Sequence, residues 1–278
     1  MRRLLLLAVV SLGLGGCSNM FFFPWQGHVQ TPERLGLKYE DVYFSATDGT
    51  RLHGWFLPAS GKSAGTILFL HGNAENVSTH IMSVRWLPER GFSVFLLDYR
   101  GYGASEGKPT LAGVQDDVDS ALRMLIARPG VDPGRIVVFG QSLGGAIAIY
   151  NVAHSPYRKH IRVLAVESAF SGHRLITREK LSEFWLTWPL QYPLSWTVSD
   201  KYSPARAVAD VSPIPLLIIH GDQDPIVPVH HAQRLFELAR EPKRLWIVEG
   251  GSHIQAFQRP AYRDRFVEYL TKTLSNPP

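Results

Sequence analysis

The chain has 278 residues, of which 45% are hydrophobic and 19% are charged, a balance typical of a folded globular protein and not of a disordered one. Its formal net charge of +5 comes from lysines and arginines dispersed along the sequence, with the densest patch at residues 158–162. A solvated basic face accounts for that charge, so we expect no nucleic-acid partner.

The first segment combines a positively charged start at residues 1–3 with an apolar run at residues 4–14. Eleven residues are too few for a membrane-spanning helix, which needs roughly 20, so the run predicts a cleaved signal peptide over residues 1–16. The Leu-Gly-Gly-Cys sequence that ends at Cys17 resembles the lipobox of bacterial lipoproteins, and Cys17 is the sole cysteine of the chain. We therefore expect lipidation of Cys17, with an ordinary cleavage site as the alternative, and an N-terminal linker over residues 17–38.

Acyl chains on Cys17 would hold the mature protein to a membrane surface, since more than one buried chain gives stable attachment. The next residue is Ser18, where an Asp would signal retention in the inner membrane of Gram-negative bacteria. The predicted localisation is therefore the bacterial cell envelope, on the periplasmic side of the outer membrane.

Short β-rich runs alternate with segments of helical periodicity over residues 39–274, which predicts βαβ units, an α/β fold class and a mainly parallel sheet. Most of the runs are apolar throughout, as strands buried on both faces should be. The first two flank an Asp48-Gly49 turn and are expected to pair antiparallel. Strands are predicted at 42–46, 52–57, 66–70, 93–98, 135–139, 163–167, 215–219 and 244–248, and helices at 78–89, 110–127, 142–154, 229–240 and 260–274.

The alternation breaks between about residues 170 and 212, where the pattern predicts no strand and aromatic residues crowd together. A connection this long inside a compact domain is unusual unless it is a functional insertion. We interpret it as a small helical cap over the carboxyl edge of the sheet, whose aromatic residues either fill the cap's own core or line a pocket.

Ser142 is the strongest candidate for a catalytic nucleophile. It lies in Gly140-Gln-Ser-Leu-Gly144, between an apolar run typical of a buried strand and a segment that predicts a helix. This strand, Gly-flanked turn and helix form the context that a nucleophile elbow requires. The alternative is a serine that only caps the helix.

A serine hydroxyl needs a base to accept its proton and a carboxylate to orient that base. Two loops that follow late strands supply both, and the carboxyl ends of the strands share one edge of the sheet with Ser142. His253 is the candidate base because it stands after a Gly-Gly turn, and Asp224 is the candidate acid because it lies deeper in its loop than its rival, Asp222.

Backbone N–H groups must also stabilise the oxyanion that forms during acyl transfer. One is expected from Leu143, directly after the nucleophile, and the second from Asn73, in the His71-Gly72-Asn73 turn that follows a predicted strand. We interpret His71 as structural and not catalytic.

Three motifs together resemble the α/β-hydrolase superfamily, and more narrowly its Bem46-like branch: His-Gly-Asn-Ala from residue 71, Asp-Tyr-Arg-Gly-Tyr-Gly from residue 98 and Gly-Gln-Ser-Leu-Gly-Gly from residue 140. The resemblance covers residues 39–274. It implies an α/β-hydrolase fold with a mostly parallel eight-stranded sheet flanked by helices, and a catalytic triad of Ser142, Asp224 and His253. In this branch the acid follows the His-Gly pair by three or four residues, which favours Asp224.

The predicted function is hydrolysis of an ester or thioester bond in a small or lipid-like acyl substrate, without a metal or another cofactor. One alternative is an S33-type aminopeptidase, in which Glu167 or Glu183 would bind the substrate's amine. The other is a catalytically silent envelope lipoprotein that binds a partner, which a fold alone does not exclude. The sequence does not predict an oligomeric state.

Overall fold

Eight strands form the main sheet within residues 20–275, the part of the chain that the computed structural model describes. They lie in the spatial order β8-β7-β6-β5-β3-β4-β2-β1. β2 pairs antiparallel with both β1 and β4, and the other neighbours pair parallel. The strands are β1 (Glu40–Ser45), β2 (Arg51–Leu57), β3 (Gly65–Leu70), β4 (Phe92–Asp98), β5 (Ile136–Gln141), β6 (Ile161–Glu167), β7 (Leu216–Gly221) and β8 (Lys243–Val248).

Each predicted strand is present, with ends that differ by one or two residues. The apolar runs located them because β3, β4, β5 and β7 are buried along their whole length, so neither face can carry a polar residue without a partner.

Helices cover both faces of this sheet. Buried side chains of α2, α3 and α6 form one core with it, and those of α1 and α7 form a second core on the opposite face. None of the helices within residues 20–275 has the length and hydropathy needed to cross a membrane. The helices are α1 (Val77–His80), α2 (Leu111–Ala127), α3 (Leu143–His154), α4 (His173–Ser182), α5 (Gln191–Trp196), α6 (His230–Leu238) and α7 (Pro260–Ser275).

The prediction of a continuous helix over residues 78–89 is wrong. Helix α1 ends at His80, and the 3-10 turns Ile81–Ser83 and Pro88–Arg90 follow. Pro88 has no N–H to donate, and the indole of Trp86 donates to the carbonyl oxygen of Ser83 at 2.8 Å, which occupies an acceptor that a helix would use.

Helix α2 carries one acidic residue on its buried face. Asp117 is fully buried, and its carboxylate accepts hydrogen bonds from Nε and the backbone N–H of Arg100, at 2.8 and 2.9 Å. This buried pair fixes the turn after β4.

The stretch predicted as a linker, residues 17–38, is not a free connector where the structure describes it. Phe22 is buried, and Phe23–Pro24 pair in parallel with Ala74–Glu75 as a second, two-stranded sheet. The amide of Asn76 donates to the carbonyl oxygens of Trp25 and Gly27, at 2.9 and 2.7 Å. Cys17 and the predicted signal peptide lie outside the described residues.

Within the described residues, the segment between β6 and β7 contains no strand and consists of helices α4 and α5 and 3-10 turns. Helix α4 begins directly after the β6 loop and packs against α5. The cap therefore rises from the carboxyl edge of the sheet, next to the end of β5.

Candidate active site

Ser142 occupies the sharp turn between β5 and α3. Its backbone lies at φ 53° and ψ −118°, a left-handed conformation that non-glycine residues rarely adopt. The flanking glycines permit the turn: a Cβ on Gly140 would lie 2.3 Å from the carbonyl oxygen of Gly144, and a Cβ on Gly144 would lie 2.1 Å from that of Leu70. The sequence Gly-x-Ser-x-Gly is thus a steric requirement of this turn.

His253 and Asp224 meet beside this turn. Nδ1 of His253 lies 2.7 Å from Oδ2 of Asp224, while Oδ1 of Asp224 accepts hydrogen bonds from the N–H groups of Ile226 and Val227, each at 2.9 Å. Burial alone would raise the pKa of Asp224, but the hydrogen bond and positive charge of His253, with the two N–H donors, lower it overall. The carboxylate is therefore ionised at neutral pH and holds the Nδ1–H form of His253, which leaves Nε2 as the free base.

The structure brings Asp224, and not its rival Asp222, to the imidazole. Asp222 is exposed, and its backbone N–H donates to the carbonyl oxygen of Val248. Oδ1 of Asp224 is held by its own loop, so the loop that follows β7 presents one particular carboxylate edge to His253.

Ser142 and His253 border the same cavity, which has a volume of about 530 Å³. Its walls are mostly apolar and come from the N-terminal segment, the β3 and β6 loops, helix α4 and the loops after β7 and β8. The remaining lining residues are Met20, Phe21, Phe23, Gly72, Asn73, Ala74, Glu75, His80, Leu143, Phe170, Ile176, Thr177, Lys180, Leu181, Ile226, Val227 and Ile254. Another cavity of about 580 Å³ lies at the far edge of the sheet beside Trp246 and Tyr269, away from Ser142 and His253.

Both residues predicted to supply the oxyanion donors border this cavity together with Ser142. Leu143 opens helix α3, and Asn73 lies in the turn after β3. A Cβ on Gly72 would lie 3.7 Å from Cβ of Ser142, so this turn passes directly against the nucleophile. The hydroxyl of Tyr102 and the N–H of Phe23 both donate to the carbonyl oxygen of Asn73, at 2.7 and 2.9 Å, and hold the turn in place.

His71 is buried behind the same turn. Its Nδ1 donates to the carbonyl oxygen of Gly72 at 2.8 Å, and burial lowers its pKa to about 3. His71 is thus neutral at physiological pH and does not face the cavity, which agrees with a structural role.

Sequence reasoning missed the part that Glu167 plays. This buried residue ends β6: its Oε2 accepts from Nε2 of Gln141 at 2.6 Å, and its Oε1 accepts from the N–H of Ala256 at 2.9 Å. Its backbone carbonyl also accepts from the N–H of Ser142 at 2.9 Å. One carboxyl group therefore joins the nucleophile turn to the loop that carries His253, and burial raises its pKa. The available signal was a lone acidic residue at the end of an apolar strand.

These contacts correct the assignment of Glu167 as an amine-binding group, because both of its oxygens are used and it does not border the cavity. The other candidate, Glu183, is exposed and lies 2.6 Å from Nζ of Lys180. The carboxylate that does border the cavity is that of Glu75.

Two clusters within the described residues contain three potential metal ligands each: His28 with His53 and Asp98, and Glu179 with His230 and His231. In the second, Nδ1 of His231 accepts from the N–H of Ser171 at 3.0 Å, so Nε2 carries the proton that it donates to Glu179 at 2.8 Å. His231 then has no lone pair for a metal, and the cluster instead joins α4 of the cap to α6. Neither cluster borders the cavity of Ser142.

Comparison with known proteins gives the same fold. The family described as serine aminopeptidase, S33, matches residues 61–212, which include Ser142 and the cap. The protein YfhR of Escherichia coli K12 is 39% identical over 264 residues, 92% of this chain and 88% of that protein, and Bem46 of Schizosaccharomyces pombe is 28% identical over 78% of this chain and 71% of its own length. The esterase Pf2001 of Pyrococcus furiosus superposes with a TM-score of 0.71 at 21% identity, covering 92% of this chain and 97% of the esterase.

Proposed function

Because the chain belongs to the α/β-hydrolase superfamily, in the family described as serine aminopeptidase, S33, we propose that it is a serine hydrolase that cleaves an ester or thioester bond. The observation that carries this proposal is the 2.7 Å contact between His253 and Asp224 beside a cavity that also contains Ser142 on left-handed backbone. A strained serine that shares a cavity with an oriented imidazole fits the arrangement that nucleophilic acyl transfer uses.

The reaction proceeds in two steps. Nε2 of His253 takes the hydroxyl proton as Oγ of Ser142 attacks the carbonyl carbon, and the N–H groups of Leu143 and Asn73 stabilise the oxyanion. The imidazolium then protonates the departing alcohol or thiol, which leaves an acyl group on Ser142. Water attacks this ester with His253 again as the base, and the carboxylic acid departs as Ser142 regains its proton.

The lining of the cavity supports an apolar acyl group over an amino-terminal peptide. Eleven of its residues have aliphatic, aromatic or methionine side chains, whereas Glu75 and Lys180 supply one charge of each sign. An aminopeptidase would use Glu75 to bind the substrate's ammonium group, so Glu75 replaces Glu167 and Glu183 in that alternative.

We also propose that Cys17 is lipidated and holds the protein on the periplasmic side of the outer membrane. The support is the Leu-Gly-Gly-Cys sequence after an apolar run of eleven residues, followed by Ser18. Cys17→Ser should release the protein from the membrane fraction and abolish incorporation of labelled palmitate. The lipid anchor would be contradicted if Cys17→Ser stayed in the membrane fraction as the wild type does and the wild type incorporated no palmitate.

A fluorophosphonate probe tests the chemistry, since it reacts only with an activated serine. It should label the wild type, and Ser142→Ala should abolish labelling while the thermal unfolding transition is kept. A folded wild type that stays unlabelled would exclude the hydrolase and favour the silent binding protein. Rates with p-nitrophenyl esters of increasing chain length, compared with amino-acid p-nitroanilides, then separate an esterase from an aminopeptidase.

A further inference from the structure

The cap exposes an unusual amount of apolar surface. Eight large hydrophobic side chains between residues 184 and 196 are exposed, and residues 184–199 contain no charged side chain. We call this set the cap surface: Phe184, Trp185, Leu186, Trp188, Leu190, Tyr192, Leu194 and Trp196. Soluble monomeric proteins rarely expose contiguous apolar patches of this kind without a partner.

In the cap, small side chains are buried and large apolar side chains are exposed, which is the reverse of a helix that packs on a core. In and after α5, the small residues Ser195 and Val198 are buried, whereas Trp196 is 66% exposed and Tyr192 is 52% exposed. Trp185, at 77%, is more exposed still. The aromatic side chains of the cap surface thus stay exposed in the folded chain. They can be buried only against an apolar surface or phase outside the described residues.

The cap surface is continuous along the chain with one wall of the catalytic cavity. Helix α4, which directly precedes it, supplies Ile176 and Leu181 to the cavity wall, and the hydroxyl of Thr187 donates to the carbonyl oxygen of Leu181 at 2.6 Å. The N-terminal segment adds further exposed apolar residues at the same cavity, since Met20 and Phe23 line it and are about half exposed.

The position of Met20 indicates which apolar phase could cover the cap surface. Only Ser18 and Asn19 separate it from Cys17, so the acyl anchor proposed on Cys17 would lie within about 10 Å of the cavity wall even if that stretch is fully extended. Trp and Tyr are also the side chains that favour the interface between a bilayer and water, because each combines an apolar body with a polar tip.

We propose that the cap surface, together with Met20 and Phe23, docks on a lipid bilayer, so that the cavity of Ser142 opens toward membrane lipids. Its acyl substrate is then a lipid-borne ester that enters from the bilayer. The identity of the substrate depends on the proposed hydrolase function, whereas the docking does not.

Tryptophan fluorescence tests the docking without reference to activity. The chain has seven tryptophans, and Trp55, Trp86 and Trp246 are buried, so lipids can reach only Trp25 and the three of the cap surface. The acylated protein beginning at Cys17 is bound to phosphatidylethanolamine–phosphatidylglycerol vesicles whose acyl chains carry bromine, which quenches nearby indoles. The wild type should be quenched strongly, and the triple variant W185F/W188F/W196F should lose most of that quenching. Equal quenching of the two proteins would overturn the proposal.

A second variant, W185S/W188S/W196S, tests whether docking delivers substrate. None of the three residues lines the cavity, so hydrolysis of a dissolved short-chain p-nitrophenyl ester should stay within about twofold of the wild type. Hydrolysis of a long-chain ester held in vesicles should fall at least about tenfold, since three exposed indoles no longer contact the bilayer. Equal loss with both substrates, or no loss with either, would overturn the delivery of substrate from the membrane.

The matched control removes exposed apolar residues elsewhere, with Tyr43→Ser, Leu238→Ser and Ile247→Ser combined, and should behave as the wild type in both assays. If the cap surface instead joins two copies of the chain, sedimentation will show a dimer that the serine variant dissociates, with no bromine quenching. Absence of any ester hydrolysis by the wild type, with quenching intact, would reject the hydrolase function and leave the docking in place.

Discussion

Asp224→Asn is the most direct test of the catalytic arrangement, because the structure determines how the new amide must lie. Two N–H groups, from Ile226 and Val227, point at Oδ1 at 2.9 Å, so the amide oxygen of the asparagine has to occupy that position. The NH₂ group then faces Nδ1 of His253, where Oδ2 lay 2.7 Å away. Rotation of the amide would set its NH₂ against two N–H donors and leave both without an acceptor, at about 1–3 kcal/mol each.

The asparagine must donate to Nδ1 of His253, so the imidazole moves its proton to Nε2 and can no longer accept one from Ser142. In serine proteases the corresponding change lowers kcat by about 10⁴, which is about 5.5 kcal/mol of transition-state stabilisation. We expect a loss of this size in kcat for a p-nitrophenyl ester, with a similar loss in the rate of fluorophosphonate labelling.

The control is Asp222→Asn, which changes an exposed carboxylate two residues earlier and should leave kcat within about twofold. Thermal unfolding shows whether both variants are folded, and ¹⁵N chemical shifts of the imidazole report which nitrogen carries the proton. The reasoning fails if folded Asp224→Asn keeps more than a tenth of the wild-type kcat, or if Asp222→Asn loses as much activity.

Three further predictions concern the backbone of Ser142 and the buried carboxyl group of Glu167. Ser142→Gly should unfold at a higher temperature than Ser142→Ala, because glycine relieves a left-handed backbone that costs about 1–3 kcal/mol; the opposite order in a calorimetric scan would show that the backbone is not strained. Glu167→Ala should lower kcat about 100-fold, because it frees the loop that carries His253. Glu167→Gln should change kcat little, because the unpartnered carbonyl oxygen of Gln141 can turn to accept a hydrogen bond from the new amide. Equal kcat values for the two variants would show that Glu167 does not hold this loop in place. Burial raises the pKa of Glu167 above 4.5, so its contribution to the free energy of unfolding is fully present below pH 4.5 and is lost as pH rises through the folded pKa. Denaturant titrations should show this dependence in the wild type and a flatter curve in Glu167→Gln, and parallel curves would contradict the raised pKa.

The main sheet and the chain order of the site residues could be predicted because each leaves a local signal. A strand buried on both faces must be apolar throughout, and the turn around Ser142 excludes side chains at Gly140 and Gly144. The chain order of serine, acid and histidine in this fold then placed the acid and the base in the loops after β7 and β8. The sequence left Asp222 and Asp224 as candidate acids, and in the folded loop it is Asp224 that contacts His253.

The parts that escaped prediction depend on contacts between distant segments. Glu167 acts on residues 141 and 256, and nothing in its neighbourhood along the chain indicates those partners. The break after His80 depends on an indole that takes the carbonyl oxygen of Ser83, which helical periodicity does not reveal. The pairing of Phe23–Pro24 with the turn after β3 requires that turn to exist first.

That pairing makes the N-terminal segment part of the candidate active site. The N–H of Phe23 holds the carbonyl oxygen of Asn73, whose own N–H is assigned to the oxyanion, and Phe21 forms part of the wall that an acyl chain would touch. The stretch between the proposed lipidation site and the main sheet is therefore also part of the cavity wall. A truncated or tagged form that alters residues 20–25 would change the cavity and the turn of Asn73 together, so its kinetics would not describe the native protein.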